Sequence, residues 1–579
     1  MPSSGKSSTG PIRYIVQCFT LIKLLRQSNP PFVVDDRCRK SLHSAYGHIS
    51  CRHNAPISGS WPNEAANHYG VYTMSNHDRS DLLIVTPPPW GVDTPPLAAA
   101  CLSSNLTYHG IAVDVFDLNA RLYKRVPNHC RHLWGMEVSH QWRQEEFYRA
   151  IRAKIAPYLK PLMREIISHP AKHIGFSLPT NCPDYLLTDI IRTLRSAAPE
   201  KTIILGGVSV SIKSQREDLL ARLRDDVDYC VVGQGEEVLL EMMKLLVAGR
   251  KERIRELTGV LTRENLHAEA QIRTITDLDT LPFPEFNNVR LSDYTTSGSL
   301  VMEFSRGCIG HCPFCDFRSI SPSFQTKSAA YIVRQIRHYQ QAYGTRHLSI
   351  CDSAVNSNLR VLEEVCDRLI AESIKIRISA LAIPRKGMNA GRLEKMRKAG
   401  FYRLEYGVES GSDRILKKMR KIFTAQQAQE VVRATHLAGI DTVLFLMVGF
   451  PGETDSDFEA TQQFLQNNAN YITLIRSINP LYIMAGSELF ECSERYGIQL
   501  PRNNPDSDWS IPDQKNDRAL RAQRVLALKK TATGLGIYYS EKAECSQFSI
   551  RALKGRTRKL HLFSRLKQIY GRVLARRLQ

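Results

Sequence analysis

The strongest constraint on the fold of this 579-residue chain is a repeated alternation of short apolar segments with amphipathic helical segments. The first series contains predicted strands at 82–86, 111–116, 173–177, 202–205 and 229–232. The second series contains predicted strands at 300–304, 347–351, 375–380, 403–408, 442–448 and 472–478. Strands that alternate with helices form parallel sheets covered by helices. We therefore predict an α/β fold, in which a doubly wound, Rossmann-like parallel sheet is followed by a partial (β/α)6 barrel of the TIM type.

The two series divide the chain into regions. In chain order we predict an N-terminal extension, a first α/β domain, a linker, a barrel and a helical, basic C-terminal region, at 1–73, 74–250, 251–290, 291–505 and 506–579. The extension lacks periodicity and is rich in Ser, Pro, Asn and His, so we expect it to be disordered. Met74 closely precedes the first strand, and our hypothesis is that folding, and also translation, begins there.

Positive charge is concentrated at the two ends of the chain. The formal net charge is +21, yet residues 551–579 contain ten Lys or Arg and no acidic residue, and residues 1–73 contain eight basic and three acidic residues. A nucleic-acid partner is therefore not predicted for the folded regions. The tail has apolar residues at helical spacing, which predicts a basic amphipathic helix. This helix would pack on the barrel or, alternatively, contact a membrane surface or a polyanion.

Other features argue against a membrane-spanning or secreted protein. The apolar stretch from Tyr14 to Leu25 is interrupted by Lys23 and is shorter than the roughly 20 residues of a membrane helix. No small-residue cleavage site follows it. The 14 cysteines are scattered apart from one group, which is not typical of a disulfide framework. We predict a cytoplasmic protein without a transmembrane segment.

The one group of cysteines is Cys308, Cys312 and Cys315, spaced C-x3-C-x2-C directly after the predicted strand 300–304. Three thiolates this close in sequence can hold one [4Fe-4S] cluster and leave its fourth iron open to a small molecule. The alternative is a structural zinc site with His311 as the fourth ligand, but such sites usually combine two ligand pairs across a longer loop. The pattern favours an iron–sulfur cluster with one open coordination position.

Glycines and polar residues follow several predicted strands, and parallel sheets bind their ligands at these strand ends. In the first sheet these residues are Ser177, Gly206, Gly207, Gly233 and Gly235. In the barrel they are Asp352, Glu409, Ser410, Gly449, Pro451, Gly452 and Glu453. No G-x-G-x-x-G sequence opens the first helix, so a dinucleotide is not predicted. Each position taken alone is also typical of an ordinary turn or helix cap.

The sequence around the three cysteines, with Phe314 directly before Cys315, resembles the signature loop of the radical S-adenosylmethionine (SAM) enzymes. The resemblance implies that the open iron binds the amino and carboxylate groups of SAM and delivers the electron that cleaves SAM to a 5'-deoxyadenosyl radical. It further implies that Asp352 contacts the SAM amino group and that Glu409 or Ser410 contacts the ribose. Beside the adenine and methionine it places the segment that contains Gly449, Pro451, Gly452 and Glu453.

The first domain resembles the cobalamin-binding domain that precedes many radical SAM barrels. Ser177 lies near the family's Ser/Thr position, Gly206-Gly207 matches its Gly-Gly step, and Gly233 and Gly235 are further expected contacts. The first strand is not followed by the D-x-H-x-x-G sequence that supplies a histidine to cobalt in the methionine-synthase type. After the second strand, Asn119 stands where that motif would need histidine. The resemblance therefore implies cobalamin bound base-off and without a histidine ligand, and it leaves the lower ligand open.

From about residue 80 to 505 the chain resembles cobalamin-dependent radical SAM enzymes, whose most common reaction is methylation of an unactivated carbon. The resemblance implies a methyltransferase that uses a [4Fe-4S] cluster, SAM and methylcobalamin on a small natural-product or cofactor-type substrate. Flavodoxin or ferredoxin would serve as reductant. An alternative with the same cofactors is an oxidative cyclase or a ring-contracting enzyme.

Two further alternatives stay open at this point. A tRNA methylthiotransferase would need a second cluster, for which the first domain offers Cys101, Cys130, Cys182 and Cys230. A cobalamin-binding sensor would need no SAM cleavage. We expect substrate contacts from the later barrel strands, from the loop around Trp90 and from the region that begins at Trp509. Cys351 and Cys366 are expected to be buried small residues rather than ligands.

Overall fold

The computed structural model describes residues 80–539 except for 90, 136–137, 139, 180–181, 183, 297 and 502–505. The predicted N-terminal extension, Met74, Trp90 and the basic tail helix lie outside the described residues. Within the described part of the chain, no helix combines the length and the apolar character needed to cross a membrane.

Six strands form the first sheet. Their bounds are β1 Leu82–Thr86, β2 Val113–Asp117, β3 His173–Leu178, β4 Thr202–Gly207, β5 Tyr229–Val231 and β6 Val260–Thr262. The order across the sheet is β2-β1-β3-β4-β5-β6; β1 to β5 are parallel, and β6 pairs antiparallel with β5. The helices of this part are α1 Leu97–Tyr108, α2 Leu118–Arg125, α3 Glu145–Ile167, α4 Asp184–Ala197, α5 Val208–Ser211, α6 Lys213–Leu223 and α7 Gly235–Val247.

The apolar pattern of β1 explains the doubly wound arrangement. All five of its residues are buried, as expected for a central strand with helices on both faces. Leu83 and Val85 belong to one apolar cluster and Leu82 and Ile84 to another, because successive residues of a strand point to opposite faces. The sheet therefore separates two cores.

Seven parallel strands form the second sheet. They are β7 Ser299–Met302, β10 His347–Ile350, β11 Arg377–Ala382, β12 Phe401–Glu409, β13 Asp441–Val448, β14 Leu474–Pro480 and β15 Tyr538–Tyr539. Their order is β15-β14-β13-β12-β11-β10-β7, so β7 and β15 are the two edges of an open sheet. A short antiparallel pair, β8 Ser305–Arg306 and β9 Gln325–Thr326, follows β7.

Helices connect the strands of the second sheet. They are α8 Phe317–Ile320, α9 Ala329–Tyr343, α10 Leu359–Ala371, α11 Ala390–Lys398, α12 Asp413–Lys418, α13 Ala425–Leu437, α14 Asp455–Asn468, α15 Glu488–Glu491 and α16 Arg518–Gly534. Several begin at the residue types that cap helices: Ser328, Asn358, Thr424 and Thr454 each accept a hydrogen bond from the first turn of the helix that follows. The predicted α/β class, with two successive sheets made largely of parallel strands, is confirmed.

Four strands have no counterpart in the sequence prediction: β8 and β9 of the short antiparallel pair, and β6 and β15 at the edges of the two large sheets. β6 lies inside the predicted linker 251–290, so that the first sheet is mixed rather than wholly parallel, and β15 lies inside the predicted helical C-terminal region. They contain three and two residues, which is too short for a periodic pattern. Each forms because a neighbouring strand presents an unpaired edge.

Gly411, two residues after β12, allows helix α14 to approach the end of that strand. A Cβ atom at Gly411 would lie 2.6 Å from the carbonyl oxygen of Ala460 and 2.7 Å from Cβ of Phe464. Both contacted residues belong to α14, and rotating a side chain could not relieve the contact with a backbone oxygen. Only glycine therefore keeps the loop after β12 in this position.

We expect the Gly411→Ala variant to lower the free energy of unfolding by about 2 kcal/mol, because overpacking of this kind costs about 1–3 kcal/mol. The matched control is Gly391→Ala, where the nearest atom to the added Cβ is 3.8 Å away and the residue lies in helix α11. That change should stabilise the protein by about 0.5 kcal/mol. Chemical denaturation of both variants measures the difference, and equal effects would contradict the packing argument.

Candidate active site

The three cysteines lie in a loop whose ends are held by backbone pairing. Ser305 and Arg306 pair with Thr326 and Gln325 in the β8–β9 ladder. Gly307 then turns with a φ of +83°, and a Cβ atom there would overlap the carbonyl group of Ser323. The loop that follows is fixed again near its end, where the Leu489 backbone N–H donates to the carbonyl oxygen of Pro313 at 2.9 Å.

Gly310 lies beside two of the three cysteine thiols. A Cβ atom at Gly310 would be 3.4 Å from Sγ of Cys308 and 3.8 Å from Sγ of Cys312, so Gly310 leaves the space between these thiols free. Burial raises the pKa of Cys315 to about 11 and also raises the pKa of Cys312. These thiols stay protonated at neutral pH unless a positively charged metal centre holds them as thiolates. The residues fit a metal cluster held by cysteine alone.

The alternative zinc site finds little geometric support in the loop. His311 is exposed, and its Nε2 lies 3.2 Å from Nη1 of Arg318. Among the residues that the structure describes, no three His, Cys, Asp or Glu side chains converge closely enough to hold a single metal ion.

A buried cation stands beside the cysteine loop. Nζ of Lys421 lies 5.4 Å from the ring centre of Phe314 and donates to the carbonyl oxygen of Gly407 at 3.0 Å. It also pairs with Glu409 at 3.3 Å, and only 11% and 13% of these two side chains are exposed. Burial by itself lowers the pKa of Lys421, but the Glu409 carboxylate and the Cys312 sulfur outweigh it and hold that pKa above its usual value. Lys421 therefore stays charged.

Glu409 occupies a strained backbone position. Its φ is +67°, and the register of β12 against β13 shifts between Gly407 and Glu409. A residue other than glycine in this region costs about 1–3 kcal/mol and is typical of a functional site. Sequence reasoning selected Glu409 but missed Lys421, because a lysine in a basic stretch looks like a surface residue until its burial is known.

Asp352 lies just after strand β10, and its carboxyl group is hydrogen-bonded to the turn between β7 and β8. Its Oδ1 accepts from the Phe304 backbone N–H at 2.8 Å, and its Oδ2 accepts from the Ser305 hydroxyl at 2.5 Å. Only 2% of the residue is exposed. Burial raises the pKa of Asp352 to about 6 in spite of these two donors. The carboxyl group also faces the cavity described below.

Other predicted strand-end residues have structural partners. Ser410 is fully buried, and its hydroxyl bonds Thr461 and the backbone N–H of Ser412. Glu453 accepts from the Gly449 backbone N–H at 2.7 Å and from Arg524 of α16 at 2.7 Å. These groups are already satisfied by the fold.

Helix α16 covers the segment 449–453, which follows strand β13. Gly449 and Gly452 have φ values of +84° and +83°, and side chains there would overlap Arg521 and Lys418, respectively; Pro451 between them is buried. Trp509, expected to contact substrate, is instead wholly buried. Its indole N–H donates to the carbonyl oxygen of Leu481, and the Arg521 guanidinium stacks 3.8 Å from its ring centre. The C-terminal region here completes the core rather than the site.

A cavity of about 390 Å³ lies between the strand ends of the two sheets. From the first sheet it is lined by the predicted Ser177, Gly206, Gly207, Gly233 and Gly235. Its deeper wall is apolar and includes Leu82, Ile84, Leu97, Leu102, Ile204 and Val231. From the second sheet and the strands that follow β7 it is lined by Glu303, Ser305, Arg306, Cys351, Asp352 and Ser353, among others. The structure thus brings the two sets of strand ends around one space.

The glycine edge of the cavity suits a large ligand that approaches the backbone. Gly207 has a φ of +102°, and a Cβ there would overlap the carbonyl oxygen of Leu178. Gly206 has no atom within 3.5 Å of such a position, and its nearest neighbour, Val231, is 3.7 Å away. An apolar crevice beside a bare backbone edge lets a ligand pack directly against the main chain.

Two cysteines differ in their surroundings. Cys366 is buried in the core of the second sheet, as expected. Cys351 was expected to be buried as well, but it is exposed and its surface lines the cavity. The reason is that Cys351 directly follows β10, where the sheet ends and the cavity begins.

We expect the Asp352→Asn variant to change the pH dependence of stability. Because the folded-state pKa of Asp352, about 6, exceeds the ordinary value of 3.8, folding favours the protonated form. The stabilisation of the folded protein by protonated Asp352 is fully present below about pH 4. It is lost as the pH rises through 6, by about 3 kcal/mol in total. Asparagine can keep both hydrogen bonds without titrating. Unfolding free energies from pH 4 to 7 should therefore fall less steeply in the variant, whereas the exposed Asp225→Asn control should match the parent protein.

Comparisons with known proteins agree with this geometry. Residues 302–465 match the Radical SAM superfamily model. One curated relative is an uncharacterized methyltransferase of Pyrococcus horikoshii, 25% identical over 45% of this chain and 57% of its own length. Another is the anaerobic magnesium-protoporphyrin IX monomethyl ester cyclase of Synechocystis sp., 24% identical over 48% of this chain and 56% of its own length. The chain thus spans little more than half the length of these relatives.

A solved structure covers more of the chain. The radical SAM methyltransferase TsrM of Kitasatospora setae, with tryptophan substrate and a SAM analog bound, has a TM-score of 0.57 at 16% identity, covering 73% of this chain and 78% of TsrM. TsrM with cobalamin and a [4Fe-4S] cluster bound gives a TM-score of 0.54. At this identity the likeness concerns the fold. Residues 302–465 of the chain are therefore similar to the Radical SAM superfamily, and the chain shares its overall fold with a cobalamin-binding radical SAM methyltransferase.

Proposed function

We propose that the protein is a cobalamin-dependent radical SAM methyltransferase that methylates an unactivated carbon of a small natural-product or cofactor-type molecule. The observation that carries the proposal is the shared cavity, because residues next to the cysteine loop and the glycine edge of the first sheet line the same space. Cofactors bound at these two edges would meet around one substrate. The names of the Pyrococcus relative and of TsrM support methyl transfer.

The residues of the barrel would prepare the radical half of the site. Cys308, Cys312 and Cys315 would hold a [4Fe-4S] cluster. When bound, the cluster supplies the electron that cleaves SAM, and cobalamin supplies the methyl group that is transferred. Lys421 places a positive charge beside the cluster loop, where it would balance the charge of thiolate ligands or of a SAM carboxylate. Phe314 packs edge-on against Phe450, with the ring centres 6.4 Å apart, and would limit the access of water to the loop.

The first sheet would position the second cofactor. Gly206 and Gly207 let a corrin ring approach the ends of β3 and β4, and the apolar wall beyond them would take the nucleotide tail of a base-off cobalamin. None of the described residues that line the cavity is a histidine. Under this proposal these residues would hold cobalamin without supplying an imidazole from the described lining.

A second candidate function uses the same cofactors without methyl transfer. The Synechocystis relative is named as a cyclase, which favours this candidate specifically. The two functions differ in one product: only a methyltransferase converts SAM to S-adenosylhomocysteine, because it must remethylate its cobalamin.

A methylthiotransferase fits the cysteines less well. Cys130, Cys182 and Cys230 are packed in the apolar core on one face of the first sheet. Cys101 lies apart from them and lines the cavity. These positions suit packing, so we do not propose a second cluster. We propose further that flavodoxin or ferredoxin supplies the electron and that the enzyme works in the reducing cytoplasm.

Replacement of Cys308, Cys312 and Cys315 together by alanine is expected to abolish iron–sulfur absorption and 5'-deoxyadenosine formation. Cobalamin binding should persist, because these residues do not line the cavity that would hold it. The control is Cys492→Ala at an exposed cysteine outside the loop. Liquid chromatography with mass detection measures the product, and undiminished SAM cleavage in the triple variant would refute the assignment of the cluster.

Methyl-labelled SAM separates the two candidate functions without knowledge of the substrate. The reconstituted, reduced parent protein should transfer label to cobalamin and form one equivalent of S-adenosylhomocysteine. Formation of 5'-deoxyadenosine alone would favour the cyclase candidate.

The Leu97→Trp variant should weaken binding of hydroxocobalamin at least about tenfold, since overpacking in the cavity costs about 1–3 kcal/mol. Leu97 lines the cavity at the start of α1. The control is Leu437→Trp, at a side chain that is 68% exposed. Absorption titrations measure the affinity, and iron content should stay unchanged in both variants. Unaltered affinity in Leu97→Trp would place the cobalamin elsewhere.

A further inference from the structure

Two side-chain contacts join the turn after β5 to the strands that lead into the cysteine loop. Nη2 of Arg306 donates to Oε1 of Glu236 at 2.6 Å. Nε2 of Gln234 donates to Oε1 of Gln325 at 3.2 Å. Arg306 and Gln325 are partners in the β8–β9 ladder. These four residues, which we call the seam, therefore form one continuous contact between the first sheet and the cluster side of the barrel.

The charged half of the seam is buried. Only 12% of the Arg306 side chain and 6% of the Glu236 side chain are exposed. Arg306 also donates from Nε to Glu303 at 3.0 Å and from Nη2 to the same oxygen at 2.8 Å. A buried charge that loses a partner costs several kcal/mol. The guanidinium is therefore held between carboxylates from both sides of the cavity.

A short stretch of backbone connects the seam to the first cysteine of the loop. Cys308 is two residues after Arg306, and Gly307 between them turns tightly against Ser323. Because Arg306 and Cys308 are separated by one closely packed residue, we expect a displacement of Arg306 to reach Cys308.

On its other side the seam reaches the glycine edge of the first sheet. The Gly233 backbone N–H donates to Oγ of Ser211 at 2.9 Å, and this hydroxyl donates to the carbonyl oxygen of Gly207 at 2.8 Å. Gly207, Gly233, Glu236 and Arg306 all line the cavity. A ligand seated at the glycine edge would therefore order the same wall that carries Arg306.

We propose that the seam couples the two cofactor sites, with Glu236 as the positioning residue, so that cobalamin in the cavity strengthens SAM binding at the cluster loop. The inference rests on the proposed function, since it assumes both cofactors. Whichever cofactor binds first orders the shared wall of the cavity. The second cofactor then binds without the entropy loss of ordering that wall. Linkage then requires SAM to strengthen cobalamin binding by the same factor.

The test is a pair of binding titrations on the full chain, reconstituted anaerobically with iron and sulfide and kept oxidised so that SAM is not cleaved. SAM affinity is measured with and without hydroxocobalamin, and hydroxocobalamin affinity with and without SAM. We expect both affinities of the parent protein to rise by the same factor, at least about fivefold. In Glu236→Ala the factor should fall below about twofold, although each cofactor still binds.

Matched variants separate coupling from general damage. Glu237→Ala removes a neighbouring, partly exposed carboxylate that pairs with Arg273, and it should keep the parent factor. Glu236→Gln retains an acceptor for Arg306 and should restore part of the coupling. Gln325→Ala, which cuts the neutral contact, should lower the factor even if Glu236→Ala loads poorly with iron. The electron paramagnetic resonance signal of the reduced cluster should change on cobalamin addition in the parent protein and not in Glu236→Ala.

Two results would overturn the inference alone, and a third would overturn the proposed function on which it rests. Equal factors in Glu236→Ala and the parent protein would overturn the role of the seam. Cofactors that bind the parent protein independently would overturn the coupling while leaving the proposed function intact. Failure of the parent protein to bind cobalamin or SAM at all would overturn the proposed function, and the inference with it.

Discussion

The pairing of Arg306 with Glu303 and Glu236 joins the two sheets at the wall of the cavity. Lys327, 2% exposed, adds a second cation 3.4 Å from Glu303, so the group contains two cations and two carboxylates. Burial favours protonated Glu303, yet Arg306 and Lys327 outweigh it and lower the pKa of Glu303 to about 2. A buried charge is tolerated when it is fully paired. This balanced group can therefore line a cavity that is apolar on its deeper wall.

The strand ends around that cavity divide into two kinds. Some, such as Ser410 and Glu453, use their polar groups within the fold, against α14 and α16. Others, such as Asp352, face the cavity, or carry a strained backbone beside the cysteine loop, as Glu409 does. Residues of the first kind hold the loops still so that residues of the second kind keep their positions. Helix α16 thus belongs to the support of the site although it lies far along the chain.

Local patterns in the sequence predicted much of this structure. Each of the eleven predicted strands is present with small shifts at its ends, because a strand between helices leaves a strong apolar pattern. The cysteine loop was found because its chemistry depends on spacing within eight residues. β6 and β15 were missed because their few residues pair only when a neighbouring edge is present. Lys421 was missed and Cys351 was wrongly expected to be buried, because burial depends on what the fold packs against each residue.

The sequence by itself determined the order of strands and helices, the two parallel sheets and the spacing of Cys308, Cys312 and Cys315. Tertiary structure decided which polar groups form hydrogen bonds within the fold and which face the cavity. It buried Asp352 and thereby raised the pKa of its carboxyl group. It also brought Arg524 within hydrogen-bond distance of Glu453, and Arg306 within hydrogen-bond distance of Glu236. The physical reason is that periodicity and spacing are properties of neighbouring residues. Desolvation and charge pairing, in contrast, depend on segments that only the fold brings together.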